Sequence, residues 1–440
     1  MSEGRGGHMR LVSGAALVGS ALEWYDMFLY GTAAALVFNK IMFPSGSALA
    51  STLAAFATYA VGFLARPLGG IVFGRIGDRV GRKRVLLLTL LMMGGATTVI
   101  GLVPSYASIG VAAPILLVVL RLIQGIGAGA EFGGAAILTV EHAPARSRGL
   151  HGAWPVTGVY AGLALASAVF SLLSLLPTDA FLAWGWRVPF LASVLIIVVA
   201  LIIRMRVAET PAFQEMAEQR GTARAPVATV LRTYWKPLLV LAGEHIAENG
   251  IGYVYQVFVI TYVADTLGMD GGGATFAVAV ASVGCMVTAP LFGALSDRIG
   301  RRPVLLFGTV FSLAFAFPFF WMLDARTDLV VVLGTVMGLS IGVSAMFAPQ
   351  GSYFSELFPT EVRLTAMSLG REAVSAIVGG FTPMIAVLLV ELGGGRGWLV
   401  AAFVAVLALI GTIAVRLGPE TRGVAFTSED TAAPVAAGQA

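Results

Sequence analysis

The chain has 440 residues, 58% of them hydrophobic and only 12% charged. A soluble domain carries roughly 25% charged residues, so this composition excludes a water-covered globular enzyme or binding module. The formal net charge of +4 is small, and no basic–aromatic pattern of a nucleic-acid surface accompanies it.

A bilayer-crossing helix needs about 20 mostly apolar residues. The sequence offers twelve such runs: 11–38, 48–73, 85–103, 111–140, 150–176, 187–204, 236–265, 274–293, 304–323, 329–353, 365–390 and 397–416. The short alternating segments of a strand barrel are not seen. With a cytoplasmic N-terminus, Lys40, Arg187, Arg326 and Arg396 fall outside, and Arg66, Arg121 and Arg371 fall inside helices. The other 21 of the 28 Lys and Arg residues lie on the cytoplasmic side, which is the positive-inside bias. The first run is longer than the core of a cleavable signal peptide and carries acids in its middle, so it reads as a span.

Span one places Glu23, Asp26 and Tyr30 three and four residues apart, on one helical stripe, with Trp24 and Tyr25 between them. An ion at the centre of a bilayer helix costs at least about 2.5–3.5 kcal/mol, and such residues pair or line a water-filled path. Asp26 is the first candidate for an acid that takes and releases a proton, with Glu23 second; the competing reading is a permanent ion pair between helices. Arg66 in span two and Arg121 in span four are candidates to receive a substrate carboxylate, which suits the guanidinium fork. Either can instead neutralise Asp26 or Glu131. Glu131, a further proton-site candidate, lies roughly 15 Å along the helix from Arg121, beyond direct pairing. Gln124 follows Arg121 by one turn. The glycine-rich stretch 125–134 lacks the lysine of a nucleotide loop and permits close helix packing. Trp24, Tyr25 and Tyr160 either line a cavity or pack helices.

Residues 205–235 carry seven charged side chains and form a cytoplasmic linker, with an amphipathic helix expected near 212–220. Span seven opens with Glu244, His245 and Glu248, the two acids sharing a face; Glu248 is nearer mid-membrane. His245 is either a ligand-facing group or a packing residue. Arg371 and Glu372 in span eleven point in different directions. The single cysteine, Cys285, excludes an intrachain disulfide, and His142 and His151 lack metal-ligand spacing. The polar tail 417–440 is expected to be disordered.

Three motif pairs recur at nearly constant offset. Gly74-Arg-Ile-Gly-Asp78-Arg79-Val-Gly81-Arg82-Lys83 returns as Gly293-Ala-Leu-Ser-Asp297-Arg298-Ile-Gly300-Arg301-Arg302, 219 residues later. Glu141, Pro144 and Arg148 return as Glu356, Pro359 and Arg363, and Glu209-Thr210 as Glu420-Thr421. A duplicated six-helix unit accounts for this.

These residues resemble the major facilitator superfamily over nearly the whole chain, through the duplicated G-x-x-x-D-R-x-G-R-[KR] loop. Glu23-Trp24-Tyr25-Asp26, Arg66-Pro67-Leu68-Gly69-Gly70, Arg121-Leu-Ile-Gln124-Gly125, Gly185-Trp186-Arg187-Val188-Pro189-Phe190 and Gly379-Gly380 with Pro383 look like its metabolite:proton symporter branch. The resemblance implies an all-α membrane fold of two pseudo-symmetric six-helix bundles, 1–204 and 236–416, in a bacterial inner membrane. It implies proton-coupled uptake of an organic acid or zwitterion by a monomer, driven by the proton gradient with no cofactor, metal or nucleic-acid partner. Asp26, Glu23, Glu131 and Glu248 are then the proton-site candidates. Arg121, Arg66, Tyr30, Tyr25, Trp24, Tyr160, Gln124, His245 and Arg371 are the substrate-site candidates. Gly74, Asp78, Arg79, Arg82, Glu141, Arg148, Asp297, Arg298, Arg301, Glu356 and Arg363 are expected to form a cytoplasmic gate. Its exposed pairs, at about 0–1 kcal/mol each, suit a contact that must open. An exporter or uniporter on the same fold, or a non-transporting sensor, are the alternative functions.

Overall fold

The computed structural model describes residues 2–80, 82–129, 134–206, 227–424 and Phe426. These residues form twelve long helical units and no strand. The first bundle comprises α1 (Ser2–Ala33, continued by a π-helical turn Ala34–Phe38 and Asn39–Ile41), α2 (Ala48–Val80) and α3 (Arg82–Ile100). It is completed by α4 (Ala112–Ala128, with Gly134–His142 following), α5 (Arg148–Leu173) and α6 (Arg187–Arg206). The second comprises α7 (Trp235–Tyr253, continued by a π-helical turn Val254–Phe258), α8 (Gly271–Ile299), α9 (Arg301–Leu323) and α10 (Asp328–Val336, a π turn Met337–Val343, and Ser344–Leu357). It ends with α11 (Thr360–Val374, a π turn Ser375–Gly379, and Gly380–Leu392) and α12 (Trp398–Leu417). The expected amphipathic helix near 212–220 lies outside the described residues; within the linker range a short helix, Val227–Thr233, is seen.

The duplication is written in the backbone as well as the motifs. The π turn that widens α1 at Ala34 recurs in α7 at Val254, 220 residues further on. A π turn inserts one residue into a helix and is common at functional sites.

Each helix divides its surface by solvent. On α2, Leu64, Leu68 and Val72 stand exposed at four-residue spacing, while Tyr59, Phe63 and Arg66 are buried on the other side. An exposed leucine stripe is unfavourable in water and suited to lipid. Polar side chains therefore collect between helices, where partners are available.

Close approach relies on glycine. A Cβ on Gly125 would overlap the Gly62 carbonyl, and one on Gly129 the Arg66 carbonyl, so α2 and α4 touch backbone to backbone. Gly300, at φ +107°, makes the tight turn between α8 and α9 that a side chain would strain.

The bundles pack together chiefly through α5 against α8 and α2 against α11. They touch at both ends. At the loop-motif end Arg363 Nη1 donates to Glu141 Oε1 at 2.7 Å. At the far end Asn39 Nδ2 donates to Asp265 Oδ2 at 3.3 Å, and Ser171 Oγ to the Gly272 carbonyl at 3.1 Å.

Candidate functional site

The polar centre of the first bundle is built around Arg121, whose guanidinium is wholly buried. Gly62 makes room for it: a Cβ there would lie 2.5 Å from Nη2. Nη1 donates to Gln124 Oε1 at 2.8 Å and Nη2 to the Tyr59 carbonyl at 3.1 Å. The guanidinium carbon lies 4.1 Å from the Tyr30 ring centroid and 5.2 Å from that of Tyr59, within cation–π range. Nε makes no hydrogen bond. Arg121 has no carboxylate partner among the described residues.

Asp26 is also buried and also outside any ion pair among the described residues. Ser193 Oγ on α6 donates to its Oδ1 at 3.1 Å, and the Thr97 hydroxyl on α3 lies beside it. Neither arginine neutralises it. The stripe of span one does not act as one face: Asp26 meets α3 and α6, whereas Tyr30 bonds Thr58 on α2 at 2.5 Å and lies under Arg121. Glu23, half-buried, lies near Arg66. Tyr25 donates to the Pro189 carbonyl at 3.2 Å.

Arg66 crosses the bundle interface. Nε donates to Glu372 Oε2 at 3.0 Å and Nη2 to Oε1 at 3.4 Å, a two-pronged pair joining α2 to α11. Trp24 and Phe63 flank the guanidinium, each ring centroid 5.8 Å away.

The second bundle holds its own buried cluster. Gln350 Nε2 donates to Glu244 Oε2 at 2.8 Å and to Glu248 Oε2 at 3.2 Å, while its Oε1 accepts from Arg371 Nη1 at 2.9 Å. His245 Nδ1 lies 3.1 Å from Glu248, and Nε2 lies 2.9 Å from Ser375 Oγ, on the π turn of α11. Arg371 therefore faces this cluster and Glu372 faces Arg66. Aromatic side chains separate the two polar centres: Tyr59 meets Tyr253 edge-on at 6.1 Å, and Tyr160 meets Phe347 likewise at 6.1 Å. Asn249 Oδ1, near Gly379 and Tyr253, is buried without a hydrogen bond.

At the loop-motif end the described residues of the expected gate form a layered network. Arg301 is fully buried; it is bidentate to Glu356, at 3.2 Å for each bond, and bonds Asp297 Oδ1 at 2.6 Å. These pairs stay within the second bundle. Other contacts cross between the bundles: Arg148 lies 4.0 Å from Glu356, Arg363 pairs at 2.7 Å with a Glu141 that is 25% exposed, and Asp297 accepts from the Gly149 and Leu150 amides at 2.8 and 2.9 Å. The expectation that these pairs are exposed does not hold for Arg301–Glu356, both side chains of which are buried. Removing one partner of such a buried pair costs about 3–5 kcal/mol. Arg298 is exposed and stands outside these bonds. Gly74 lies on α2, while Glu131 and the side chains of Asp78, Arg79 and Arg82 lie outside the described residues.

The tail expected to be disordered is seated here over 418–424 and at Phe426. Glu420 accepts from the Arg301 and Arg302 amides, capping α9, and Thr421 Oγ1 donates to Glu356 at 2.7 Å. Arg148 donates to the Val424 carbonyl at 2.6 Å. Phe426 lies 3.6 Å from the Arg148 guanidinium and 4.0 Å from that of Arg363, one from each bundle. The sequence signal available was the repeated Glu-Thr pair; nothing pointed to Phe426. Gln350, Thr97 and Ser193 were likewise missed, being single polar residues inside apolar runs.

A family model described as "Sugar (and other) transporter" matches residues 12–233, and one described as "Major Facilitator Superfamily" matches residues 246–437. The chain is 39% identical over 406 residues to the shikimate transporter of Escherichia coli (strain K12), covering 91% of this chain and 92% of that protein. It is 34% identical over 417 residues to the proline/betaine transporter of the same strain, covering 92% and 83%. The crystal structure of a D-xylose-proton symporter is similar in fold, with a TM-score of 0.73 at 19% identity, covering 94% of this chain and 98% of that one.

Proposed function

The chain belongs to the major facilitator superfamily of membrane transporters, and we propose that it couples uptake of a small carboxylate-bearing metabolite to the entry of protons. The substrate is an organic acid anion or a zwitterion. Arg121 anchors its carboxylate, and Asp26 carries the proton. The two bundles rock about the polar centre, with both termini in the cytoplasm of a bacterial inner membrane, and the monomer is the working unit. The proton gradient is the only energy source.

The observation that carries this reading is Arg121. A buried charge without a compensating charge is costly, so a guanidinium held by an amide, a carbonyl and aromatic faces, with Nε left over, is suited to receive an anion. Shikimate, proline and betaine, named for the relatives, all bear a carboxylate. Their frameworks differ, so the carboxylate is the feature a common anchor would recognise.

The test is ligand-dependent thermal stabilisation of the purified chain with shikimate, citrate, 2-oxoglutarate, proline and glycine betaine, because a ligand that binds the native state raises its stability. At least one carboxylate should stabilise the wild-type chain and lose most of that effect in Arg121→Lys. A panel that stabilises nothing, or stabilises both chains equally, contradicts carboxylate anchoring at Arg121.

A further inference from the structure

Asp26 on α1 and Arg121 on α4 make no direct bond. Two uncharged side chains lie between them. Gln124 sits one turn beyond Arg121, so both project from the same face. Its Oε1 accepts from Arg121 Nη1 at 2.8 Å and its Nε2 donates to Thr97 Oγ1 at 2.6 Å. The Thr97 hydroxyl lies beside the Asp26 carboxylate and also reaches the Met93 carbonyl at 2.9 Å. All four side chains are buried.

A threonine hydroxyl has one proton to donate and two lone pairs. In the structure the Thr97 hydroxyl donates to the Met93 carbonyl, the Asp26 carboxylate lies alongside as a second acceptor, and Gln124 occupies a lone pair. We propose that Thr97 and Gln124 are positioning residues that carry the charge state of Asp26 to Arg121. This rests on the reading of Asp26 as the proton carrier and Arg121 as the carboxylate anchor.

With Asp26 ionised, the Thr97 proton turns to the carboxylate, because hydrogen bonds to an ionised acceptor are roughly twice as strong as neutral ones. The chain of bonds is then polarised in one direction and tightens the hold of Gln124 on Arg121. With Asp26 protonated, the Thr97 proton returns to Met93, the Gln124 bonds relax, and Nη1 is released to a substrate carboxylate. Protonation thus prepares the anchor before the anion arrives, the order that symport of an anion needs. Only a hydroxyl rotor turns; no covalent bond changes. The other polar groups facing Asp26, Ser193 from α6 and Tyr25 from α1 itself, bond the Pro189 carbonyl rather than the Arg121 side.

The experiment compares wild type, Thr97→Val, Thr97→Ser and Asp26→Asn by ligand-dependent thermal stabilisation over an acid-to-alkaline series. The probe is the panel carboxylate that most stabilises the wild-type chain. Wild-type affinity should rise on acidification. Thr97→Val, which keeps the shape and loses the hydroxyl, should bind with an affinity that varies less than about twofold over the series, and Thr97→Ser should restore the dependence. The relay is overturned if Thr97→Val keeps the wild-type dependence, or if Thr97→Ser is as flat as Thr97→Val. Asp26→Asn separates the two levels. If it keeps the dependence, the proton-carrier assignment fails; if it loses the dependence while Thr97→Val keeps it, only the relay fails. A wild-type chain stabilised by no panel member contradicts the anchor and the relay together.

Discussion

Arg66 on α2 and Glu372 on α11 form a two-pronged ion pair across the bundle interface, with Arg66 Nε 3.0 Å from Glu372 Oε2. Arg66 is 1% exposed and Glu372 15%. The proposed rocking of the bundles would break this pair, and Glu23 is a second acid near Arg66 on its own bundle.

Glu372→Gln should therefore destabilise the chain by up to about 3–5 kcal/mol, the cost of leaving one buried partner behind, and Glu23→Gln added to it should make the loss larger. Exchanging the charges, Arg66→Glu with Glu372→Arg, should recover part of it. A double-mutant cycle on unfolding stability checks this; a coupling below about 0.5 kcal/mol would mean that the two residues act independently.

Asp297 caps α5 across the interface through the Gly149 and Leu150 amides. Anions at a helix N-terminus are worth about 0.3–1 kcal/mol. Asp297→Asn should favour opening at the loop-motif end by about two- to five-fold, read as faster labelling of a single cysteine placed behind the gate. The companion pair Arg301–Glu356 is buried within one bundle, so Glu356→Gln should lower stability rather than shift this equilibrium alone.

Phe426 touches Arg148 of the first bundle and Arg363 of the second. Cation–π contacts contribute about 0.5–1 kcal/mol each at exposed sites. Phe426→Ala should favour opening at the same end by several-fold in the labelling assay, while Phe426→Tyr should resemble wild type. Equal labelling of all three would leave the tail without a role in closure.

Gly62→Ala would place a methyl group 2.5 Å from Arg121 Nη2. The guanidinium must then move, and hydrogen bonds to a charged group are worth about 1.5–3 kcal/mol. Carboxylate affinity should fall by about ten-fold or more with little change in the amount of folded protein. Unchanged affinity would mean that substrate does not depend on where Arg121 sits.

The twelve helices were legible because lipid selects for long apolar runs, and the two bundles because the loops repeat at fixed offset. Arg121, Asp26, Arg66 and the Glu244–Glu248 pair stood out because a charge in an apolar run has few innocent explanations. Who meets whom was not legible. Arg66 and Glu372 are separated by 306 residues, and no local periodicity joins them. Thr97, Ser193 and Gln350 are small or neutral, common in membrane helices, and acquire meaning only from the carboxylate or guanidinium beside them. The fate of 418–424 and of Phe426 depended on partners elsewhere: a polar tail has no core of its own, but Glu420 finds the amides that begin α9, and Phe426 finds two arginines.

Proton coupling at Asp26 is tested most directly by uptake into proteoliposomes under an imposed acid-outside gradient, beside counterflow without one. The wild-type chain should accumulate its carboxylate by about tenfold per pH unit for one proton per electroneutral turnover, since a pH unit is worth about 1.4 kcal/mol. Asp26→Asn should retain counterflow and lose accumulation. Distribution indifferent to the gradient in the wild type, or an Asp26→Asn chain that accumulates as well as wild type, would contradict it.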